Sequence, residues 1–597
     1  MLPEPGDLMI SPRGRLYLCS SPGIYVSEGP LLEWQRLSSE QAVKLVFDPS
    51  DPDRILALSG YGTASRSTDG GVSWTKVEMG DASVSDLASD PTTPGRVFAL
   101  TSTGVFVSAE GGSTWQRVAK HPLPRMDSAY SGAFMGVDPS RPDFLYAGAP
   151  YLGGFFVLQY SPSLYVPRLA NAPGTEATGL ALSNRGAKDV ALAVAAFDQE
   201  GRLIFGPRIN NPVAVRLKAG EQKAMLSQDL FGAGLTSRHV KGWVRIDGVS
   251  ADVTGFFSTL SGDLARLDTG PLSQVSSRKW LISEVDANGT EVWMVNPGAE
   301  AATATFELRD AQGRLKKRVN RTIPSMGVLS GESSTLLGED AGDGDSVWLE
   351  SSNALVSLEY ETDGKSYSKV LPGFDPDDES DILVAPQYAA GGDVRTTVTL
   401  INLDPRPGSV LAHVYRDDGT LVGNEKQLTL GAWGKVRLDD PALLGIDPAQ
   451  EFSGYLKIFS PSVRVTGSVS FADPAGQRYA AVLPLARTGA RKQVFSHLVS
   501  TTQYFTGIAM VNPALNTATV TTRVLGTDGS LVAETQFELK PGARRSNLLV
   551  DLFPELANRP LSGGTIEITS SEAIAAFALF GPYDLQFLSA IAGQVLP

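Results

Sequence analysis

Cysteine is almost absent from this 597-residue sequence, in which Cys19 is the single example. One cysteine excludes an intramolecular disulfide and any zinc site built on paired cysteines. Low cysteine content is typical of cytosolic proteins, but large bacterial surface proteins that fold without disulfides share it. Cysteine content therefore leaves the compartment open.

Long apolar runs and basic clusters are also missing. The longest apolar stretch has about eight residues, around Ala573 to Phe580, whereas a membrane-spanning helix needs about 20. The net charge is −14, from 51 basic and 65 acidic residues, and no Lys/Arg-rich stripe occurs. This balance disfavours binding to nucleic acid and to anionic lipid. The N-terminus lacks the charged leader and apolar core of a signal peptide, and its first residues look like the interior of a repeat. We therefore expect the chain to begin partway through a longer protein.

The sequence instead contains a fourfold spacing in which Asn is followed 17 residues later by Gly and 19 residues later by Leu. The copies are about 110 residues apart, the size of a small β-domain. Abundant glycine (61) and proline (38) favour many short strands joined by turns. Repetition without shared reactive groups predicts a tandem array rather than an active site. The four copies are Asn184/Gly201/Leu203, Asn296/Gly313/Leu315, Asn402/Gly419/Leu421 and Asn512/Gly529/Leu531.

A shorter period of about 40 residues runs from about residue 6 to residue 160. Two segments share the pattern Ser-x-Asp/Glu-x-Gly-x-Ser/Thr-Trp, and Ser27 to Trp34 keeps its Ser-to-Trp distance. Each suits a tight turn in which the acidic and hydroxyl groups bond the backbone, glycine takes a positive φ and tryptophan packs between sheets. The residues are Ser67, Asp69, Gly71 and Trp74, then Ser108, Glu110, Gly112 and Trp115.

These segments resemble the Asp-box (BNR) repeat of β-propellers, as in sialidases and sortilin-type receptors. The resemblance implies about four propeller blades in residues 1–162. Asp-box propellers usually have six or more blades, so we expect the C-terminal part of a larger propeller. The alternative is a small or open propeller, which would leave unpaired strand edges.

Each large repeat predicts about seven strands with turns every 8–12 residues, a pattern typical of immunoglobulin-like or fibronectin type III-like sandwiches. It resembles the repeated β-sandwich modules of large bacterial exported proteins. The absence of a Cys…Trp…Cys pattern excludes a true immunoglobulin domain. The predicted fold is all-β: propeller blades over 1–162, then sandwich modules over 163–277, 278–379, 380–489 and 490–597.

Candidate metal and catalytic residues are few. One module boundary is rich in aspartate, and we call it the acidic joint. It could hold Ca²⁺ between two modules, since hard cations take clustered carboxylates. It matches no defined calcium loop, and a solvated linker is the alternative. No other cofactor is expected. The four histidines have no partner at ligand spacing. The joint is Asp375, Asp377, Asp378 and Asp381, and the histidines are His121, His239, His413 and His497.

The Asp-box resemblance implies that sialidase activity has to be considered. In that family the activity needs an arginine triad and a Tyr/Glu pair. Arg54, Arg96 and Arg141 each follow a repeated Asp-Pro segment, so blade turns explain them better. Among the aromatic residues, Trp243, Trp348 and Tyr455 lie at equivalent repeat positions and are expected in cores. Trp433, beside two glycines, is the candidate surface aromatic.

Two hypotheses for function follow. The first is a non-catalytic exported or cell-surface protein, in which the propeller binds an unidentified protein or carbohydrate and the sandwich array forms a stalk well over 100 Å long, at roughly 35–40 Å per module. The second is the C-terminal part of an Asp-box propeller glycoside hydrolase whose catalytic blades lie upstream. The residues predict no catalytic group within this chain.

Overall fold

A computed structural model gives the fold. It describes residues 7–20, 23–27, 33–49, 51–77, 79, 83–91, 95–102, 104–108, 111–113, 115–120, 133–138, 141–149, 154–159, 163–248, 252–274, 276–285, 289–298, 300–377, 380–487 and 489–595. The chain forms two compact units, Met1–Pro162 and Ser163–Pro597. Both consist almost entirely of strands, so the all-β prediction is confirmed.

The first unit is propeller-like. Its strands form antiparallel meanders in chain order, with β1 (Leu8–Ile10), β2 (Leu16–Ser20), β3 (Gly23–Ser27) and β4 (Trp34–Ser38); β5 (Lys44–Phe47), β6 (Ile55–Leu58), β7 (Ala64–Ser67) and β8 (Thr75–Lys76); β9 (Val84–Ser89), β10 (Val97–Thr101), β11 (Gly104–Ser108) and β12 (Gln116–Lys120); and β13 (Phe134–Asp138), β14 (Arg141–Ala149) and β15 (Gly154–Gln159). Consecutive sheets share apolar clusters.

The turn between β7 and β8 is held by side chains of the repeated motif. Ser67 Oγ donates to Asp69 and accepts from the backbone N–H of Gly71 at 2.9 Å, while Trp74 Nε1 donates to the Gly71 carbonyl. Hydrogen bonds from Ser73 and Ser67 lower the pKa of Asp69 to about 2. In the next sheet Gly112 N–H donates to Ser108 Oγ and Trp115 Nε1 donates to the Gly112 carbonyl, and Glu110 lies outside the described residues. Assignment to the Asp-box family stays a prediction.

The arginines of this unit pair with aspartates of their own sheets. Arg54 donates to Asp48 at 3.0 Å and Arg96 donates to Asp90 at 2.5 Å. Asp48 and Asp90 are buried, so each pair satisfies a carboxylate inside a strand-to-strand turn. The side chain of Arg141 lies outside the described part of the structure. Arg54 and Arg96 are therefore turn residues.

The second unit contains four repeats, which we number one to four. Repeat one has β16 (Leu164–Asn171), β17 (Glu176–Asn184), β18 (Val190–Asp198), β19 (Val213–Leu217), β20 (Gln222–Leu226), β21 (Val240–Asp247), β22 (Val253–Ser261) and β23 (Leu267–Pro271). Repeat two has β24 (Ser277–Ile282), β25 (Glu291–Val295), β26 (Ala302–Arg309), β27 (Leu315–Ile323), β28 (Val328–Glu332), β29 (Ser346–Thr362) and β30 (Ser368–Pro372).

Repeats three and four follow the same order. Repeat three has β31 (Ile382–Ala390), β32 (Arg395–Asn402), β33 (Gly408–Tyr415), β34 (Lys426–Leu430), β35 (Lys435–Leu438), β36 (Phe452–Phe459), β37 (Val465–Ala472) and β38 (Ala480–Pro484). Repeat four has β39 (Ala490–Phe495), β40 (Val499–Ser500), β41 (Tyr504–Val511), β42 (Ala518–Leu525), β43 (Leu531–Leu539), β44 (Arg544–Leu548), β45 (Leu561–Ser562), β46 (Thr565–Pro582), β47 (Ser589–Ala592) and β48 (Gln594–Val595).

Each repeat places two antiparallel layers of strands around an apolar core. In repeat one the layers run β16-β21-β18-β19 and β20-β17-β22-β23, and repeat three has the same order. In repeats two and four one long strand, β29 or β46, runs through both layers. Short helical turns precede the second half: α1 (Ser227–Phe231), α2 (Ser333–Leu337) and α3 (Leu549–Leu552), with 3-10 turns at Ala233–Leu235, Pro441–Leu444 and Pro554–Asn558.

The repeated asparagines are fully buried and bond only to the backbone of their own repeat. Asn184 Nδ2 donates to the carbonyl of Lys188, four residues on, and to that of Lys218. Each bond ties the end of one strand to the turn that closes a hairpin. The same pair of bonds is made by Asn296, Asn402 and Asn512.

The four repeats form a closed ring, because one backbone hydrogen bond recurs at every interface. In each repeat the first residue of an equivalent strand donates its N–H to a carbonyl in the hairpin turn that carries the repeated glycine of the preceding repeat. The fourth bond joins repeat one back to repeat four and closes the ring. The bonds run from Val328 to Gln199 (3.0 Å), Lys435 to Ala311 (2.9 Å), Arg544 to Asp417 (2.9 Å) and Gln222 to Thr527 (2.8 Å).

The repeated glycines lie in these same hairpin turns, where they also allow two repeats to come close together. A Cβ on Gly201 would lie 2.1 Å from the Ser325 carbonyl oxygen of repeat two, and a Cβ on Gly529 would lie 2.8 Å from Gly220 Cα of repeat one. Gly201 and Gly529 lie in hairpin turns, and their missing side chains also let the neighbouring repeat approach. All four have a positive φ, as a tight turn requires: Gly201 (+83°), Gly313 (+78°), Gly419 (+84°) and Gly529 (+80°).

The extended stalk expected from the sequence is wrong. A linear array leaves its first and last modules apart, whereas here Gln222 Nε2 donates to the carbonyls of Ser496 and Gly564, and Arg185 pairs with Glu567 at 2.5 Å. These contacts join repeat one to repeat four. Residues 163–597 are one compact unit, not a string of separate spacers.

The final strands of the repeats, β23, β30, β38 and β47, contact one another in cyclic order at the centre of the ring. Asp268 on β23 is buried there and accepts hydrogen bonds from Val370 N (2.6 Å) and Ser589 Oγ (2.5 Å). It thus connects repeats one, two and four. Burial raises the pKa of Asp268 to about 8 despite these bonds, so the carboxyl group takes up its proton at a higher pH than an exposed aspartate does.

This carboxyl group makes the stability of the ring depend on pH. A group with a raised pKa in the folded state stabilises most at low pH and loses that contribution as pH rises through its folded pKa. In the parent chain this carboxyl group lowers the unfolding free energy by about 1.4 kcal/mol for each pH unit between pH 5 and 7, and we expect Asp268→Asn to remove that fall. Urea unfolding of both proteins across this range measures the difference. Parallel pH profiles would contradict the assignment.

Candidate ligand-binding cleft

Four equivalent side chains stand at the four interfaces of the ring. Two lie where the first strand of a repeat breaks its register, between Val166 and Leu169 in β16 and between Ala385 and Tyr388 in β31, and the other two lie two residues after the ends of β24 and β39. Each side chain meets the next repeat around the ring. The residues are Arg168, Glu284, Gln387 and His497.

Three of these side chains fill their interfaces. The Arg168 guanidinium carbon lies 3.8 Å from the Tyr360 ring centroid, and its Nη2 donates to Glu176 at 2.5 Å. His497 lies with its ring centroid 3.7 Å from that of Phe580 and 5.3 Å from that of Phe256. Burial lowers the pKa of His497 to about 3, so the imidazole is neutral and packs as an aromatic ring.

Charged side chains fill the interface between repeats two and three. Glu284 accepts from Ser468 Oγ at 2.5 Å, and Lys435 donates to the carbonyls of Ser283 (2.6 Å) and Asp345 (2.9 Å). Burial raises the pKa of Glu284, but the charges of Lys435 and Lys369 outweigh it and lower the pKa to about 2. A carboxylate and an ammonium group therefore share one interior site.

The interface between repeats three and four leaves an open cleft of about 330 Å³. Gln387 does not fill it, because its side-chain oxygen is drawn to the guanidinium of Arg544 and to Ser546 Oγ, 3.1 Å away. We call this space the Gln387 cleft. Its lining residues are Gln387, Phe505, Gly507, Ile508, Ala509, Ser546, Asn547, Leu548, Asp551, Phe577 and Leu579.

The sheet beneath the cleft has small residues at two positions where repeat two has large ones. Gly507 pairs with Leu579 and Ala509 pairs with Phe577. These positions lie five and three residues before the repeated asparagine. In repeat two they are Glu291 and Trp293, which carry large side chains.

The polar groups of the cleft are mostly neutral. Ser546 and Asn547 come from β44, and Asp551 is the one carboxylate in its lining. The nearby cations already have partners: the side chain of Arg544 has 0% exposure and Nε donates to the Pro386 carbonyl, while Arg545 Nε donates to Asn547 Oδ1 at 3.0 Å and its guanidinium lies 4.1 Å from the Phe537 ring centroid. The cleft thus offers an apolar floor with amide, hydroxyl and single-carboxylate edges.

The acidic joint does not converge in the described residues. Asp377 pairs with Lys279 at 2.9 Å, and Asp375 accepts the backbone N–H of Asp377. Asp381 is exposed, and Asp378 lies outside the described residues. Across the part of the chain that the structure describes, no group of three or more His, Cys, Asp or Glu side chains is placed to hold a metal ion.

The remaining candidates are dispersed. His413 contacts Glu425 at 2.7 Å on the surface, His239 and His497 lie in other repeats, and His121 is outside the described residues. Trp243 and Tyr455 are buried, as expected. Trp433 is not a free surface aromatic, because the Arg309 guanidinium lies 4.3 Å from its ring centroid.

No protein-family model matches this sequence, and neither does any curated protein sequence. Solved structures with similarity include an ancestral GH74 enzyme, at 14% identity over 71% of this chain and 53% of that chain, with a TM-score of 0.22. Others are YCF48 bound to D1 peptide (14% identity, 42% and 94% covered, TM-score 0.19) and the extracellular domain of BT4673 from B. thetaiotaomicron (10%, 81% and 80%, 0.21). This chain spans about half the length of the GH74 enzyme.

TM-scores this low transfer neither an overall fold nor a function. In the described part of the chain, no helix has the length and hydrophobicity needed to cross a membrane. The cleft therefore has to be interpreted from its own residues.

Proposed function

We propose that this chain is a non-catalytic binding protein of the cell surface or extracellular space. In this proposal the ring of repeats is a rigid scaffold, and the Gln387 cleft holds the ligand. The propeller-like unit supplies a separate surface for a protein partner, where Val43 and Tyr61 are 50% and 79% exposed.

The cleft is the observation that carries the proposal. Ligand sites are usually concave and apolar with a few well-placed polar groups, and the lining has this composition. Gln387 and Ser546 are oriented by the bond between them and by Arg544, which is itself fixed by Asp417 at 2.5 Å. Such prior ordering reduces the entropy lost when a ligand binds.

The lining does not suit glycoside hydrolysis. That reaction usually takes two carboxyl groups on either side of the scissile bond, one acting as acid. Asp551 is the one carboxylate among the lining residues, so the lining has no second carboxyl group for this reaction. The proposal thus favours binding over turnover at this site.

We expect the purified chain to bind targets on saccharide or peptide arrays without cleaving them. The measurement combines array binding with release of reducing ends from xyloglucan, hydroxyethyl cellulose, mannan and dextran. Heat-unfolded protein is the control for release by contaminants. Reducing-end release that depends on folded protein and disappears in Asp551→Asn would contradict the non-catalytic proposal.

A further inference from the structure

We infer that the Gln387 cleft is a site for a neutral oligosaccharide. This inference rests on the proposed binding function and names its ligand class. Three features carry it: an aromatic and aliphatic floor, neutral hydrogen-bonding groups at its edge, and the open space that repeat four has in front of Gly507.

The floor is aromatic and aliphatic. Phe505 and Leu579 lie on neighbouring strands and are partly exposed in the cleft. Tyr583 extends this surface, with its ring centroid 5.5 Å from that of Phe505. A pyranose ring has one face made of C–H groups, which packs on a surface of this kind, while tyrosine adds a polar tip.

The polar side chains at the edge of the cleft can form hydrogen bonds with the hydroxyl groups of a sugar. A sugar hydroxyl both donates and accepts, and Gln387, Asn547 and Ser546 can do the same, while the Asp551 carboxylate accepts. An anionic ligand would meet the Asp551 carboxylate, while Arg544 is enclosed and bonded to Asp417, Gln387 and Pro386, and Arg545 is bonded to the Asn547 side chain. The chemistry therefore favours an uncharged polyhydroxylated ligand.

Repeat four alone combines a glycine five residues before the repeated asparagine with open space in front of that glycine. A Cβ on Gly507 would have Leu548 Cδ2 as its nearest neighbour, at 3.5 Å. Gly179 occupies the same position in repeat one, but there Ser258 Oγ lies 2.4 Å from the corresponding point. Repeats two and three have Glu291 and Thr397. The space at Gly507 is thus particular to one interface.

Gly507→Leu tests the inference by filling the cleft without disturbing the backbone. The room around Gly507 accepts a side chain, so we expect the melting temperature to stay close to that of the parent chain. The probes are an array of neutral hexasaccharides (cello-, xylo-, manno-, malto- and chitohexaose) and calorimetry with the sugar that binds best. We expect at least a tenfold loss of affinity in Gly507→Leu and a five- to tenfold loss in Phe505→Ala.

Leu515→Ser is the matched control, since Leu515 lies in the same repeat, is 93% exposed and is outside the cleft; its affinity should stay within twofold. Binding retained by Gly507→Leu would overturn the site. A parent chain that binds peptides but none of the hexasaccharides would overturn the ligand class and leave the proposed function standing. Hydrolysis of a bound hexasaccharide would overturn the proposed function itself.

Discussion

Gly313→Ala is expected to lower the free energy of unfolding of the ring by about 2–5 kcal/mol. Gly313 has φ +78°, a conformation that costs other residues about 1–2 kcal/mol. A Cβ there would also lie 1.9 Å from the carbonyl oxygen of Ala432 in repeat three. Relieving that contact requires the two repeats to separate, and overpacking of this kind typically costs another 1–3 kcal/mol.

Gly364→Ala separates the two contributions. Gly364 is in the same repeat, has φ +75° and has no atom within 4 Å of a Cβ position. Its substitution should therefore cost only about 1–2 kcal/mol. Urea unfolding and melting temperature, measured on both variants at one pH, give the comparison. Equal losses would show that the interface at Gly313 adapts without cost.

Lys435→Met is expected to destabilise the ring by about 3–5 kcal/mol, because removing one partner leaves a buried charge unopposed. Lys435 is 4% exposed and donates across the interface to repeat two. Without it, the largest of the charges that offset the burial of Glu284 is lost, and the weaker effect of Lys369 remains. The pKa of Glu284 should then rise, and the variant should lose stability as pH rises from 5 to 8.

A double variant makes this prediction specific. Lys435→Met combined with Glu284→Gln removes both charges and should recover part of the loss, since a neutral amide can accept the Ser468 bond. Lys365→Met, at an exposed turn position, should change stability by less than about 0.5 kcal/mol. If the double variant is no more stable than Lys435→Met, the pair does not act as a unit.

The parts of this fold that could be predicted from sequence are those set by local chemistry. Strand patterns and turn residues give the all-β character because each depends on a few neighbouring side chains. The fourfold spacing marked Gly201, Gly313, Gly419 and Gly529 as turn residues, and all four have positive φ. Their second role, close approach to the next repeat, depends on backbone from the neighbour and leaves no local signal.

Ring closure and the cleft were missed for the same reason. The closing bond from Gln222 to Thr527 joins residues about 300 positions apart and uses backbone atoms that every sequence has. The equivalent residues Arg168, Glu284, Gln387 and His497 differ in charge and size, so repeat alignment hides their common place. The glycine at position 507 was a partial clue, since repeats two and three have Glu291 and Thr397 at the same offset but repeat one has Gly179.

The closed ring also determines how the unit bears mechanical load. Three of its four interfaces are spanned by the polypeptide itself, whereas repeats one and four are held by contacts such as Gln594 Nε2 to the Gly255 carbonyl, at 2.8 Å. Tension applied between residues 163 and 595 is therefore concentrated on this one non-covalent seam. Under such tension we expect the ring to open first at the interface between repeats one and four.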